Sequence, residues 1–296
     1  MIYQNCAICN KSDYRVVYKE NFDLKKINEK IFSARRLPDR IHYRIVQCNN
    51  CKLIYSNPVI EYGKIASLYQ KSFVSYDEQI ENLRETYGYY LKQLDKYRVS
   101  KERLLEIGCG NGFFLEEALK QNYGQVYGVE PGKKSVAKAN HNLKTYIKEG
   151  IFKPSLFHKN FFDVICCFQT LDHIPDPNKI IKECYKILKR GGYMLFLNHD
   201  VESLFAKILG EKSPIIDIEH TYLYSHITIK KIFEKHNFKV LKVESALNIH
   251  KLAYWIHLMP IPNNIKHLTV KLLKFFKLDN LKIKIYPGNL VIIATK

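Results

Sequence analysis

Short apolar runs, each bounded by glycine, proline or polar residues, follow one another through the second two thirds of the chain. Apolar runs of about four to eight residues are typical of strands that are buried on both faces. Segments between them, such as residues 113–121 and 227–236, have helical spacing, and the alternation predicts an α/β fold with a mainly parallel sheet. The predicted strands are residues 104–107, 125–129, 144–148, 162–168, 193–197, 238–245 and 289–295.

The first of these strands ends in a glycine-rich turn. Gly108, Gly110 and Gly112 leave the turn without bulky side chains, so the backbone can approach a nucleotide-like ligand beside the following helix. The dinucleotide fingerprint needs a third glycine where this chain has Phe113, which makes NAD the weaker interpretation. Glu106, at the end of the strand, offers a carboxylate to an ammonium group. The turn therefore predicts a nucleoside cofactor that carries an amino acid.

At this point the chain resembles the class I S-adenosylmethionine-dependent methyltransferases, whose first motif is an acidic residue followed by G-x-G-x-G. The resemblance covers residues 103–198 and includes an acid after the second strand, a loop at 169–177 that ends in Ile-Pro-Asp-Pro, and a Lys-x-Gly-Gly turn at 189–192. It implies a Rossmann-like sheet of seven strands with helices on both faces, whose last strand is antiparallel and lies between its neighbours. It also implies S-adenosylmethionine as the cofactor.

The resemblance also assigns cofactor contacts to particular residues. Glu130 corresponds to the acid that holds both ribose hydroxyls, a role to which two acceptor oxygens are suited. Residues 150–152 lie where the family has its adenine contacts, although the aspartate often found there is missing. Tyr76 lies where the family's N-terminal helix closes over the cofactor. The predicted cofactor residues are Tyr76, Glu106, Gly108, Cys109, Gly110, Gly112, Glu130, Pro131, Gly150, Ile151, Phe152, Phe168 and Gln169.

Two C-x-x-C pairs near the start of the chain predict a metal site. Cys6 and Cys9 form the first pair and Cys48 and Cys51 the second, so four thiolates can bind one tetrahedral zinc ion. A closed four-thiolate site has no position for substrate, so the zinc is predicted to be structural. Residues 51–58 also resemble a zinc-ribbon extension found ahead of some bacterial methyltransferases. The alternative is free thiols or disulfides, and disulfides are disfavoured because no secretory leader precedes Cys6.

Histidines in the loops after the fourth and fifth strands are the candidate catalytic bases. The cofactor carries an activated methyl group, so the protein has to align the acceptor and, for a hydroxyl, remove its proton. We predict His173 and His220 as the leading candidates for this base and His199 as a further one. The alternative for each is a loop histidine that only binds backbone. Asp172 is expected to orient the loop or the acceptor, and Asp200 to hold His199 in one tautomer unless the two form a surface turn.

The chain is predicted to have three parts. They are a zinc ribbon over residues 1–60, a helical bridge and cofactor lid over residues 61–102, and the methyltransferase domain over residues 103–296. Insertions at 198–224 and 247–287 are predicted to enclose a small or medium acceptor, because methyl transfer benefits from the exclusion of water.

A helix predicted over residues 265–278 has apolar side chains on one face and lysines on the other. We expect it to pack on its own domain, and the alternative is peripheral contact with an anionic membrane. The net charge of +18 would suit a nucleic acid or such a membrane. Only nine of the 47 basic residues are arginine, however, and a spread lysine excess is weak evidence for sequence-specific recognition.

These features predict methyl transfer to a hydroxyl of a small molecule, sugar or glycan, in a cell-surface or secondary-metabolite pathway. The expected location is the cytoplasm, with peripheral contact to the inner membrane face as an alternative. An RNA methyltransferase is the rival function, disfavoured because no Asn/Asp-Pro-Pro-Tyr motif follows the fourth strand. A non-catalytic module that binds the cofactor is the third hypothesis. The sequence predicts neither the oligomeric state nor the acceptor.

Overall fold

The computed structural model of the chain describes residues 1–22, 41–71, 79–258 and 262–296. Strands and helices alternate through its central part, as the apolar runs predict. The strands are β1 (Tyr14–Tyr18), β2 (Ile45–Cys48), β3 (Ile54–Ser56), β4 (Arg103–Ile107), β5 (Gln125–Glu130), β6 (Ile147–Glu149), β7 (Phe162–Phe168), β8 (Leu188–His199), β9 (Tyr222–Leu223), β10 (Lys239–Lys251) and β11 (Lys282–Thr295). The helices are α1 (Tyr62–Lys71), α2 (Ile80–Lys92), α3 (Phe113–Lys120), α4 (Lys133–Ala137), α5 (His141–Lys144), α6 (Pro177–Ile187), α7 (Leu204–Leu209), α8 (His226–Glu234), α9 (Leu252–Leu258) and α10 (Asn263–Phe275).

The larger sheet has seven strands in the order β10-β11-β8-β7-β4-β5-β6. Neighbouring strands from β8 to β6 are parallel, and β11 runs antiparallel to β10 and β8, between which it lies. The predicted Rossmann-like methyltransferase sheet is therefore confirmed. Because parallel strands place their carboxyl ends at one edge, the loops after β4, β5, β7 and β8 meet there.

Both faces of this sheet are buried under helices. On β4, Leu104 packs in a cluster with Phe114 of α3, whereas Leu105 packs in a second cluster with Ile180 of α6 and Ile229 of α8. Successive side chains of a strand point to opposite faces, and here each face has its own apolar cluster. This double burial fixes the register of β4 and, with it, the position of the glycine-rich turn.

A smaller antiparallel sheet has the order β1-β2-β3-β9. Its first three strands belong to the segment with the paired cysteines, but β9 comes from the insertion predicted at 198–224. The amide of Ser56 also donates to the carbonyl of Thr221 (2.9 Å), which extends this pairing. The N-terminal segment and the first insertion are therefore parts of one sheet, which the sequence analysis does not predict.

Several strands differ from the predicted bounds. The strand expected at 144–148 is the shorter β6, because Asn140 caps helix α5 just before it by accepting a hydrogen bond from the amide of Asn142 (3.2 Å). The strands β10 and β11 are longer than predicted and pair as far as Lys251 and Lys282. The second insertion is therefore carried on a hairpin that extends beyond the pairing of β11 with β8.

Candidate active site

The glycine-rich turn lies at the carboxyl end of β4. Gly108, Gly110 and Gly112 have φ angles of 77°, 56° and 79°, in the left-handed region that glycine tolerates best. A Cβ at Gly108 would lie 2.4 Å from Oγ1 of Thr170, so only glycine allows the loop after β7 to approach so closely. The turn thus presents backbone, not side chains, to the space beyond the strand.

A cavity of about 1010 Å³ lies along this edge of the sheet. One part, here called the cofactor half, is bounded by the glycine-rich turn and the ends of β5 and β7. The other part, the acceptor half, is bounded by the two insertions and the loops after β7 and β8. The predicted site residues that line the cavity are Glu106, Gly108, Gly110, Glu130, Pro131, Ile151, Phe152, Phe168, Gln169, His173, His199 and His220.

Three of the predicted cofactor residues that the structure describes do not line the cavity. The side chain of Cys109 is buried against β5, where a Cβ at Gly128 would lie 2.5 Å from its Sγ, so this thiol packs in the core. Gly112 is the residue that precedes α3, and it does not line the cavity, nor does Gly150. Tyr76 lies outside the described residues.

Two carboxylates, the buried Glu106 and the partly buried Glu130, form one wall of the cofactor half. Glu130 accepts hydrogen bonds from the amide of Gly110 at Oε2 (2.9 Å) and from the amide of Gly132 at Oε1 (2.8 Å). Glu106 is 2% exposed, and its Oε2 has no hydrogen-bond partner among the described residues. Burial and the nearby carboxylate of Glu130 raise the pKa of Glu106 well above its ordinary value. A positively charged ligand at this wall would favour the ionised forms of both groups.

The opposite wall of the cofactor half is aromatic. Tyr87 of α2 stacks on Phe168 with ring centroids 4.2 Å apart, and its hydroxyl donates to Oε1 of Gln169 (3.4 Å). Tyr87 also lines the cavity, although it is not among the cofactor residues predicted from the sequence. The available signal was its place in the segment over residues 61–102, which is predicted to be a helical bridge and cofactor lid.

The three candidate histidines are brought together in the acceptor half. The ring of His220 lies 4.7 Å from that of His173 and 4.6 Å from that of His199, measured between centroids. Nδ1 of His199 is 2.7 Å from Oδ2 of Asp172, and Nδ1 of His173 is 3.0 Å from the hydroxyl of Tyr69. These contacts form one polar cluster, here called the histidine cluster, which consists of Tyr69, Asp172, His173, His199 and His220.

Burial and charge set the protonation of this cluster. Burial alone would raise the pKa of Asp172, but the hydrogen bond from His199 and the adjacent His173 outweigh it, so the pKa of this carboxyl is lowered. Burial lowers the pKa of His173, although Asp172 opposes the shift. The pKa of His220 falls well below its ordinary value through burial and its two histidine neighbours. At neutral pH the cluster therefore holds an ionised carboxylate beside neutral imidazoles of His173 and His220.

The hydrogen-bond partner of His199 differs from the predicted one. The sequence analysis pairs His199 with the adjacent Asp200, but the structure pairs it with Asp172. Oδ2 of Asp200 lies 3.5 Å from Nδ1 of His226, and its Oδ1 accepts a hydrogen bond from the amide of Glu202. Asp200 therefore belongs to the start of the insertion and not to the histidine cluster.

The paired cysteines form two turns of the same geometry. In each pair the carbonyl of the first cysteine, Cys6 or Cys48, accepts a hydrogen bond from the amide four residues later, Asn10 or Lys52. These later residues both have positive φ, 60° and 67°. The four sulfurs lie within 4.8 Å of one another, with Cys6 and Cys51 Sγ 3.2 Å apart. A tetrahedral site with Zn–S bonds of about 2.3 Å needs sulfurs about 3.8 Å apart, so the four thiols fit a zinc ion.

Comparison with known proteins agrees with this geometry. A family model described as "Methyltransferase domain" matches residues 77–243, more than half of the chain. The chain belongs to this methyltransferase family. The resemblance drawn from the glycine-rich turn and the later motifs is thereby confirmed.

Individual relatives match a smaller part of the chain. A ubiquinone biosynthesis O-methyltransferase of Vibrio cholerae is 36% identical over 120 residues, which are 38% of this chain and 49% of that protein. A protein of the same name from Proteus mirabilis is 30% identical over 117 residues, or 37% and 47% of the two chains. The chain therefore spans about half the length of the curated relatives it matches.

A solved structure shares the fold. It is the complex between the Haloferax volcanii Trm112 methyltransferase activator and a methyltransferase. The match has 18% sequence identity and a TM-score of 0.50, and it covers 74% of this chain and 91% of that one. The likeness concerns the fold alone.

Proposed function

We propose that this methyltransferase uses S-adenosylmethionine to methylate a hydroxyl group of a small, mainly apolar molecule. The observation that carries the proposal is that one cavity joins the carboxylates of Glu106 and Glu130 to the histidine cluster. S-adenosylmethionine supplies a methyl group already activated on a positively charged sulfur. The curated relatives are named O-methyltransferases, which supports oxygen as the acceptor atom.

The residues of the cofactor half suit this cofactor. The backbone of Gly108 and Gly110 lies open to a ligand, and the oxygen of Glu106 that has no described partner would accept from its ammonium group. Each oxygen of Glu130 has a second lone pair for a ribose hydroxyl. Ile151 and Phe152 give an apolar surface for the adenine ring. The positive charge of the cofactor would offset the raised pKa of Glu106.

The acceptor half is lined mainly by apolar side chains. Phe205, Ile208, Tyr254, Trp255 and Ile285 contribute to it, and the polar side chains include Asp217, Glu219 and Asn248 besides the histidine cluster. A sugar or glycan would need hydrogen-bond partners for many hydroxyls, so this lining favours an apolar ring or chain that carries one or two hydroxyls.

We assign the base to His173. Its loop follows directly on Phe168 and Gln169 of the cofactor half, so it is the cluster histidine nearest along the chain to the cofactor residues. When its Nδ1–H donates to Tyr69, Nε2 has the free lone pair that takes the hydroxyl proton. The carboxylate of Asp172, 3.8 Å from Nε2, stabilises the imidazolium that results.

The deciding experiment is an acceptor screen that measures formation of S-adenosylhomocysteine. Alkyl-substituted phenols, hexoses and total RNA are offered in parallel, and we expect turnover with the phenols only. Turnover with RNA that falls steeply as salt rises would favour the RNA methyltransferase instead. Cofactor binding without turnover on any acceptor would favour the non-catalytic module.

Replacing Glu130 by alanine is expected to weaken S-adenosylhomocysteine binding about 100-fold. Hydrogen bonds to charged groups contribute roughly 1.5–3 kcal/mol each, and a factor of ten corresponds to about 1.4 kcal/mol. Isothermal titration calorimetry measures the change. Glu149→Ala is the matched control, because Glu149 ends the neighbouring strand β6 but does not line the cavity. An unchanged affinity in Glu130→Ala would remove the ribose assignment.

We propose that the four paired cysteines hold one structural zinc ion within a ribbon over residues 1–60. The support is the matched geometry of the two turns and the spacing of the four sulfurs. The ribbon adds β9 to its sheet, so it borders the acceptor half. A metal in this closed site holds the segment together and takes no part in the chemistry.

We also propose that helix α10 binds an anionic membrane surface. The support is that none of its residues is buried, whereas the partly buried Val270 and Leu273 agree with the expectation that it packs on its own domain. Four of its apolar side chains, Ile265, Leu268, Leu272 and Phe275, are 47–79% exposed, and lysines at 266, 271 and 274 accompany them. No helix within the described ranges is long and apolar enough to cross a membrane. Contact through α10 would be peripheral and would suit an acceptor that resides in lipid.

Leu268→Glu is expected to reduce binding to anionic vesicles at least tenfold. Burial of a leucine side chain contributes roughly 1.5–3 kcal/mol, and the new charge repels the lipid headgroups. Flotation with phosphatidylglycerol-containing and pure phosphatidylcholine vesicles measures the binding. Asn264→Glu adds the same charge at an exposed polar position of α10 and is the control. Equal flotation with both vesicle types would contradict the proposal.

A further inference from the structure

Three side chains offer metal-ligand atoms at one point of the acceptor half. Asp172, His199 and His220 each contribute one oxygen or nitrogen, and these atoms lie within 4.8 Å of one another. Asp172 follows β7, His199 ends β8, and His220 precedes β9. The ligand set is therefore assembled by the fold and differs from the thiolate site in its chemistry, which is two imidazoles and one carboxylate.

The carboxylate of Asp172 has an oxygen that the protein leaves unsatisfied. The residue is 1% exposed, and its Oδ2 accepts a short hydrogen bond from His199. Its Oδ1 lies 3.8 Å from Nε2 of His173 but has no hydrogen-bond partner among the described residues. A buried carboxylate oxygen without a partner is costly, and a bound cation is one of the few groups that can satisfy it.

Hydrogen bonds from the surrounding backbone hold the other groups in place. Nδ1 of His220 lies 3.0 Å from the carbonyl of Ile215, which leaves Nε2 with its lone pair. The amide and hydroxyl of Thr221 both donate to the carbonyl of Asp172, at 2.9 and 3.1 Å. The hydroxyl of Ser56 donates to the carbonyl of His220 (3.3 Å). Hydrogen bonds of this kind, outside the ligand atoms, orient the ligands in metal sites. Here the bonds from Thr221 hold the segment of His220 against Asp172.

We propose that Asp172, His199 and His220 bind a divalent first-row metal ion, such as Zn²⁺, at an open site. Two histidines and one carboxylate are typical of ions that keep free positions for substrate. His199 and His220 line the cavity, so the free positions would face the acceptor half. An ion there would lower the pKa of an acceptor hydroxyl and ease transfer of its proton to His173. This role rests on the proposed hydroxyl acceptor, whereas binding of the ion does not.

Cobalt titration of the zinc-loaded protein tests the site. One equivalent of Zn²⁺ is added first to fill the four thiolates, and Co²⁺, which binds more weakly than Zn²⁺ to such ligands, is then titrated. We expect one further equivalent of Co²⁺ to bind, with visible d–d bands but without the intense thiolate charge-transfer band. His199→Ala should weaken this binding at least about 100-fold, because loss of a ligand exceeds the effect of losing an outer contact.

Two further variants keep the test decisive. His141→Ala, which removes an exposed histidine outside the cavity, should bind Co²⁺ as the native chain does. Asp172→Asn keeps the size of the side chain and should lose the binding even if His199→Ala folds poorly. The melting temperature and S-adenosylhomocysteine affinity show whether each variant is folded. The proposal is overturned if the native chain binds no Co²⁺ beyond the zinc, or if both variants bind it normally, whatever the acceptor screen finds.

Discussion

Replacing His173 by alanine is expected to lower methyl transfer roughly 10²- to 10⁴-fold, the usual contribution of a positioned general base. The imidazole lies in the cavity between the cofactor residues and the rest of the histidine cluster, and burial keeps it neutral by lowering its pKa. S-adenosylhomocysteine affinity should change by less than about threefold, because the cofactor contacts assigned above do not include His173. Initial rates with an acceptor found in the screen, together with calorimetry, measure the two effects.

Two comparisons separate a chemical role of His173 from a structural one. His141→Ala should keep the native rate, since His141 is exposed and lies outside the cavity. Added imidazole should restore part of the rate of His173→Ala but should not affect a variant that is merely misfolded. Native turnover in His173→Ala would show that the base is another member of the histidine cluster.

The cofactor half is the part of the site that local sequence predicts well. Gly108 and Glu106 lie within one strand and its turn, and Glu130 ends the next strand, so their meeting follows from the parallel arrangement of β4 and β5. Placing these three residues together requires no prediction of contacts between segments that are distant in the sequence. The exceptions are Cys109, whose side chain turns into the core, and Gly112 and Gly150, which do not line the cavity.

The histidine cluster was only partly predictable, because its contacts join distant segments. His199 and Asp200 are adjacent in sequence, but neighbouring residues at a strand end point in opposite directions, so adjacency favoured the wrong partner. The true partner, Asp172, is 27 residues away, and its position depends on the parallel pairing of β7 and β8. Sequence reasoning therefore found the residues of the cluster but not how they are connected.

The link between the ribbon and the acceptor half was not predictable at all. The strand β9 has two residues, too few for any periodic signal, and its partner β3 lies about half the chain away. Yet this pairing fixes the segment that carries His220, since Ser56 bonds both to His220 and to Thr221. The proposed metal site of the paired cysteines and the histidine cluster are therefore linked through the smaller sheet, and this connection can be tested.

Cys48→Ser is expected to remove the zinc and lower methyl transfer at least about 100-fold, with S-adenosylhomocysteine affinity changed by only a few-fold. Structural zinc contributes about 10–16 kcal/mol in isolated zinc-finger peptides, so a ribbon without it loses its order. The pairing of β3 with β9 would go with it, and His220 and Asp172 would lose the bonds that align them. The cofactor half lies on the larger sheet and should keep its structure.

Metal analysis measures the zinc content of Cys48→Ser, and limited proteolysis reports the order of the ribbon. Lys11→Ser, an exposed change beside the first cysteine pair, is the control. If Cys48→Ser kept native turnover after losing its zinc, the ribbon would not position the acceptor half, whereas equal loss of cofactor binding would mean that the whole chain unfolds.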